Sequence, residues 1–168
     1  MVLEEKDLMQ TIATFEKVSF EQYKKDRPNC SYEEWESIKQ PTRSTAGSAG
    51  YDFYIPYQPT NPIGDDPVTF CTGIRCKIEP GWVLILVPRS GLGFKHGMRL
   101  VNTVGVIDQD YYTADNEGHI MAKISASEPF WLHQDDRFMQ GIFLPYGLAT
   151  GDAPLSDIRS GGFGSTGK

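Results

Sequence analysis

Cysteine is scarce in this sequence, basic charge does not dominate it, and no apolar stretch in it is long. The three cysteines, Cys30, Cys71 and Cys76, are odd in number and widely spaced, so a disulfide framework would leave one thiol over. No second Cys or His pair stands at ligand spacing from Cys71 and Cys76, which leaves buried reduced thiols as the expectation. Sixteen basic against 22 acidic residues give a net charge of −6. Bulk attraction to nucleic acid or anionic lipid is therefore excluded, and any phosphate site has to be built locally. No apolar run approaches the roughly 18 residues of a membrane span, so a soluble protein with no membrane partner is expected. The N-terminus, residues 1–10, lacks the basic, apolar and small-residue order of a secretion signal, which points to a cytoplasmic product.

What is abundant is punctuation. The 17 glycines and 11 prolines among 168 residues divide the chain into short pieces, and its length suits one domain. One short helix is signalled: Ser31 and Glu34 form an S-x-x-E capping box, Cys30 and Trp35 can staple its entry, and Pro41 stops the run after Ile38. Residues 14–20 read as a strand. Further apolar runs fall at 51–55, 68–78, 82–87, 99–107, 119–124 and 138–144, a spacing that reads as an all-β sandwich or barrel. Residues 82–87 are almost continuously apolar, so both faces of that strand are expected to be covered. The last ten residues, RSGGFGSTGK (159–168), have little to bury and are expected to be a mobile arm on a single domain of residues 1–158. Residues 162–168 spell G-x-x-x-x-G-K but lack the Ser or Thr and the helix that a P-loop needs.

Four segments carry chemistry that a plain β domain does not need. Pro88-Arg89-Ser90-Gly91 puts a guanidinium, a hydroxyl and bare backbone at the end of the most apolar strand, a set suited to phosphate. Residues 102–111, NTVGVIDQDY, place an amide, a glycine, two carboxylates and a Tyr on a hairpin. Residues 135–140 lead into another apolar strand, and the Gly-rich tail adds an Arg, a Phe, a Ser and a Thr. Each alone is most simply a turn, a solvated hairpin or a loose terminus.

Taken in order, AGSAGYDF (46–53), PRSGLGFKHG (88–97), NTVGVIDQDY, DDRFMQGIFLP (135–145) and GGFGSTG (161–167) resemble the five motifs of the trimeric dUTP diphosphatases. The resemblance covers about three quarters of the chain. It implies a distorted β-barrel or jelly-roll with a short N-terminal helix and a C-terminal arm. It implies a homotrimer that hydrolyses dUTP to dUMP and pyrophosphate with Mg²⁺. By position, Asp108 matches the carboxylate that activates the attacking water. Asn102 and the backbone around Gly105 match the hairpin that reads uracil, and Tyr111 matches the ring that packs on deoxyribose. Ser90, Gly91 and Gln140 match phosphate contacts, and Arg89 a charge near the α-phosphate. In the tail, Phe163 matches the cover over uracil, while Arg159, Ser165 and Thr166 match groups that clasp the outer phosphates. The resemblance implies no direct protein ligand to the metal, which would ride on the phosphates with Asp52 at most near its waters.

Two departures from the pattern stand out. Residues 113–117 insert between the hairpin Tyr and Gly118, and the first forty residues lie largely outside the resemblance and are expected to be a surface decoration, the alternative being a brace for the trimer. Two rival readings meet obstacles in the sequence. A dCTP deaminase on the same fold would need an acid where Lys123 stands. A non-catalytic module binding a regulatory protein would be favoured by loss of Asp108, which is present.

Overall fold

A computed structural model describes residues 10–154. Its elements are β1 (Ala13–Lys17), α1 (Phe20–Asp26), α2 (Tyr32–Ser37), β2 (Thr42–Arg43), β3 (Tyr51–Tyr54), β4 (Val68–Cys71) and β5 (Ile74–Ile78). There follow β6 (Trp82–Pro88), α3 (Ser90–His96), β7 (Arg99–Leu100), β8 (Gly105–Ile107), a 3₁₀ turn (Gln109–Thr113), β9 (Met121–Ser125) and β10 (Arg137–Pro145). These strands pair antiparallel throughout. They form three sheets, β1-β5, β2-β3-β10-β6-β8 and β4-β9-β7, packed around one apolar core. The expected barrel is thus realised as facing sheets, with no closed ring of strands among the described residues.

Two expected strands are each split. Gly73, at φ +72°, turns the chain between β4 and β5, a conformation open to glycine at little cost. Thr103 adopts φ +69° and donates its N–H to Leu100 O at 2.9 Å, which separates β7 from β8. In β6, Leu84 and Leu86 are buried while Trp82, Val83, Ile85 and Val87 are only half-buried. Its own chain covers one face of this strand, against the expectation that both would be covered.

Within the first forty residues, the described part, 10–40, contributes to the core and is not a surface decoration. Val18, Tyr23, Cys30 and Ile38 are buried. β1 pairs with β5, and the Phe15 ring packs 5.3–5.8 Å from those of Tyr51, Phe53 and Phe143, joining β1 to β3 and β10. The stretch read as one strand becomes β1 followed by a helix. Ser19 Oγ accepts from Gln22 N at 3.1 Å and starts α1; S-x-x-Q at 19–22 is a cap signal that the Phe and Val pattern masked. α2 begins as expected, with Ser31 Oγ accepting from Glu34 N at 3.1 Å. Its Glu34 carboxylate is spent on α1, taking Arg27 Nε at 2.6 Å, Arg27 Nη2 at 3.1 Å and the Tyr23 hydroxyl at 2.9 Å. A bidentate guanidinium outcompetes the return bond of a capping box.

All three cysteines are free and buried. Burial pushes Cys71 up to about 11 and Cys76 up to about 12, so both are inert packing groups. Near Cys71, beyond Asp26, lies His119, with no exposed surface. Gly73 N donates to its Nε2 at 2.8 Å, so the ring proton sits on Nδ1 and faces Asp26 Oδ2 at 2.6 Å.

Burial holds the His119 imidazole below its ordinary value of 6.5, although Asp26 pulls the other way. A second proton, on Nε2, would face the Gly73 N–H. The unfolded chain therefore binds a proton that the folded chain refuses, and stability falls as the pH drops below about 6.5. Urea unfolding at pH 7.5 and 5.5 should show this loss, and His119→Gln should remove it. Glu16 and Glu117, both held below the ordinary 4.5, add their own loss only at lower pH.

Candidate active site

Three strands deliver one half of the site. Gln140 of β10 stands opposite Asp52 of β3 on one side and Val87 of β6 on the other, and Arg89 follows β6 at once. A cleft of about 370 Å³ opens here, lined by Ser44, Gly50, Asp52, Arg89, Ser90 and Gln140 among others. Asp52 is 6% exposed. Its Oδ1 lies 3.2 Å from Arg89 Nε, and its Oδ2 receives Arg137 Nη1 at 3.1 Å and the Ser44 hydroxyl at 2.7 Å. Ser44 Oγ in turn accepts from Arg137 Nη1 at 2.7 Å. Both oxygens of Asp52 are thus engaged, one by Arg89 at the cleft and the other by Arg137 and Ser44.

The segment after Arg89, expected as a turn, is the short helix α3. Gly97, at φ +61°, ends it by donating to Gly93 O at 2.9 Å. Lys95 stands in its last turn, where positive charge suits the helix dipole. Ser90 and Gly91 are exposed at its first turn, where backbone N–H groups have no acceptor within the helix. A Cβ on Gly50 would collide with Gln140 Oε1, so glycine there lets the amide lie across the cleft.

The segment at 102–111, expected as a hairpin, is instead a turn after β7 followed by β8 and the 3₁₀ turn, because β7 pairs with β9 and β8 with β6 in another sheet. Asn102 Nδ2 donates to Val104 O at 3.1 Å and Val104 N to Asn102 O at 2.8 Å, so the amide is fixed by its own turn. A cavity of about 340 Å³ lies beside it, walled by Thr69, Val101, Asn102, Met121 and Lys123. Gly105 faces Leu86 so closely that a Cβ would sit 3.0 Å from the leucine's Cβ, which holds β8 tight against β6. Asp108 is exposed where β8 ends, and its carbonyl accepts from Tyr111 N at 3.2 Å. Tyr111 is 5% exposed; its hydroxyl donates to His119 O and accepts from Asn116 Nδ2, both at 2.8 Å. Its ring is a fixed wall and not an open platform.

One chain does not join Asp108 to the cleft. Ile107 pairs with Leu84 in antiparallel register, which sets Asp108 level with Val83, at the opposite end of β6 from Arg89. At 3.3 Å per residue the separation is about 20 Å. The structure gathers Asp52, Arg89, Ser90 and Gln140 around one cleft, with Gly91 next along the chain. Gly105 pairs with Leu86, so the turn that carries Asn102 lies toward this same end of β6, and Asp108 with Tyr111 stands at the other. Arg159, Phe163, Ser165 and Thr166, with the whole 159–168 arm, lie outside the described residues. Sequence reasoning missed Ser44 and Arg137. Arg137 belongs to a segment singled out by its chemistry, but only the pairing of β10 with β3 reveals that it shares Asp52 with Arg89. Among the described residues no group of three His, Cys, Asp or Glu side chains could hold a metal ion, and no helix is long and apolar enough to cross a membrane.

A family model described as dUTPase matches residues 36–167. The chain belongs to the dUTPase family. It is 39% identical over 134 residues to a deoxyuridine 5'-triphosphate nucleotidohydrolase of Lactococcus lactis, a span of 77% of this chain and 89% of that protein. The crystal structure of a Streptococcus mutans dUTPase superposes with a TM-score of 0.62 at 33% identity, covering 82% of this chain and 98% of the other. A mutant dUTPase from phage phi11 of S. aureus, described with a coordinated structural Mg(II) ion, superposes with a TM-score of 0.62 at 15% identity, covering 88% of this chain and 99% of the other; that likeness speaks for the fold alone. The dUTPase match begins inside α2, so β1 and α1 lie outside it.

Asp52→Asn should leave two guanidiniums without their shared counter-charge. Because both arginines are about a third or more exposed, the expected cost is moderate, roughly 1–3 kcal/mol in denaturant unfolding. Ser44→Ala should cost less.

Proposed function

We propose that the protein hydrolyses dUTP to dUMP and pyrophosphate at sites shared between the subunits of a homotrimer. The observation that carries this reading is the separation of two complementary groups along one strand: the exposed Asp108 carboxylate at one end of β6 and the cationic cleft at the other.

The 102–111 segment suits a uracil nucleoside. With its nitrogen spent on Val104, the Asn102 amide offers its oxygen as an acceptor, which pairs with the N3–H of uracil and mismatches the N3 lone pair of cytosine. Gly105, pressed against Leu86, keeps the slot narrow against the thymine methyl group. The fixed Tyr111 ring supplies a wall for the sugar that leaves no space for a 2′-hydroxyl. Asp108, next along the chain, takes a proton from water as its oxygen attacks the α-phosphorus; the bond to the bridging oxygen breaks and pyrophosphate leaves.

The cleft suits the phosphates. Arg89 brings charge to the α-phosphate while Ser90, Gly91 and Gln140 hold the chain of oxygens. Arg159, Ser165 and Thr166 clasp the outer phosphates, and Phe163 covers the base, so that ordering the arm excludes bulk water. Magnesium would come with the phosphates of the substrate, and the positive charge it would supply adds to that of Arg89.

An apolar sheet face supports the trimer. Val83, Ile85 and Val87 share it with Val106, Ile142 and Leu144 on the flanking strands, and Val106 and Leu144 are 54% and 46% exposed. Such a face is suited to burial against copies of the same chain, and a closed ring sets Asp108 of one subunit against the cleft of another.

Asp108→Asn is expected to cut turnover of dUTP by about 10²–10⁴-fold while an unhydrolysable analogue still binds; near-normal turnover would remove the assignment. Mixing Asp108→Asn subunits with Arg89→Ala subunits, each inactive alone, should restore part of the activity. Mixed trimers then hold some sites with both residues intact, and no recovery would mean that the halves do not meet across chains.

A further inference from the structure

The two parts of the chain that the dUTPase pattern leaves unexplained, the β1–α1 segment and the insertion at 113–117, are bonded to each other. Ser19, the cap of α1, donates its hydroxyl to Glu117 Oε1 at 2.6 Å and its N–H to Glu117 Oε2 at 2.8 Å. Glu16 of β1 accepts from the Tyr112 hydroxyl at 2.7 Å and from Arg75 Nη2 at 2.9 Å, and the Arg75 guanidinium lies 4.5 Å over the Tyr112 ring. Asp26, the last residue of α1, meets His119 Nδ1 at 2.6 Å. These contacts bracket the loop at its beginning, near its end and just beyond it.

The loop between them is one that would not hold its shape unaided. Glu117 adopts φ +57°, uncommon for a residue with a side chain. Gly118 follows at φ +70°, where a Cβ would sit 2.7 Å from Tyr111 O. The loop thus closes back on Tyr111, whose hydroxyl bonds to Asn116 Nδ2 and His119 O of this same stretch. The Tyr111 N–H, on the other side, is bonded to Asp108 O, which ties the wall to the backbone of Asp108.

We infer that β1 and α1 are a positioning element for the nucleoside pocket: Ser19, Glu16 and Asp26 hold the 112–119 loop, and through it they fix the Tyr111 wall that excludes ribose. Ser19, Glu117 and His119 are positioning residues that touch no substrate. The inference deepens the dUTP reading and rests on it.

The test is steady-state hydrolysis of dUTP and of UTP by the full chain, with melting temperatures recorded alongside. Ser19→Ala and Glu117→Ala are expected to raise KM for dUTP at least about fivefold with kcat within about twofold. The ratio of kcat/KM for dUTP over UTP should fall at least about fivefold. Ser19→Thr, which keeps the hydroxyl, should behave as wild type. Arg27→Gln breaks the α1–α2 clamp without touching the loop, so it should lower the melting temperature and leave KM and the ratio unchanged. The inference is overturned if Ser19→Ala and Glu117→Ala keep wild-type KM and discrimination whatever their melting temperatures. It is equally overturned if Arg27→Gln reproduces their kinetic changes, since general loosening would then suffice. Wild-type protein that fails to cleave dUTP refutes the functional reading itself, and that result is visible before any variant is made.

Discussion

The antiparallel pairing of β6 with β10 on one edge and β8 on the other governs the placement of both halves of the site. Because side chains alternate along a strand, the register that turns Leu84 and Leu86 inward turns Val83, Ile85 and Val87 outward. The same register sets Gln140 beside Val87 and Asp52, and so assembles the cleft at the end of β6. It also carries Asp108 to the other end. A slip of one residue would bury the outer face and scatter both halves of the site.

Within the cleft the controlling group is Asp52. A single buried carboxylate between two guanidiniums and a hydroxyl resolves what would otherwise be repulsion between Arg89 and Arg137. Two guanidiniums around one carboxylate leave a local surplus of positive charge in a chain whose net charge is −6. Local arrangement, and not overall charge, sets the potential of this cleft.

The N-terminal segment shows how a stretch outside the family pattern becomes part of the scaffold. Its apolar residues enter the common core through Val18 and Tyr23, while its polar residues meet the inserted loop through Ser19 and Asp26. Packing supplies the hold, and directional bonds supply the shape, because hydrogen bonds and ion pairs carry geometry that apolar contact does not.

The all-β class, the cap at Ser31, the strands around 51, 82 and 138 and the motif residues were legible in the sequence, since alternation, capping and glycine placement act over a few neighbours. The helix α1 was obscured because Phe and Val beside Ser19 suit a strand as well as a helix entry, and α3 because two glycines within seven residues argue against a helix that its surroundings nevertheless stabilise. The link from Ser19 to Glu117 spans 98 residues and that from Asp26 to His119 spans 93, and no local pattern can announce either. Sequence by itself determined which residues could act, because side-chain chemistry is a property of each residue. Only the tertiary structure decided that Asp108 and Arg89 lie at opposite ends of one strand, that Asp52 serves the arginines, and that the outer face of β6 is left half-covered. Those are consequences of strand register and of contacts between residues far apart in the chain.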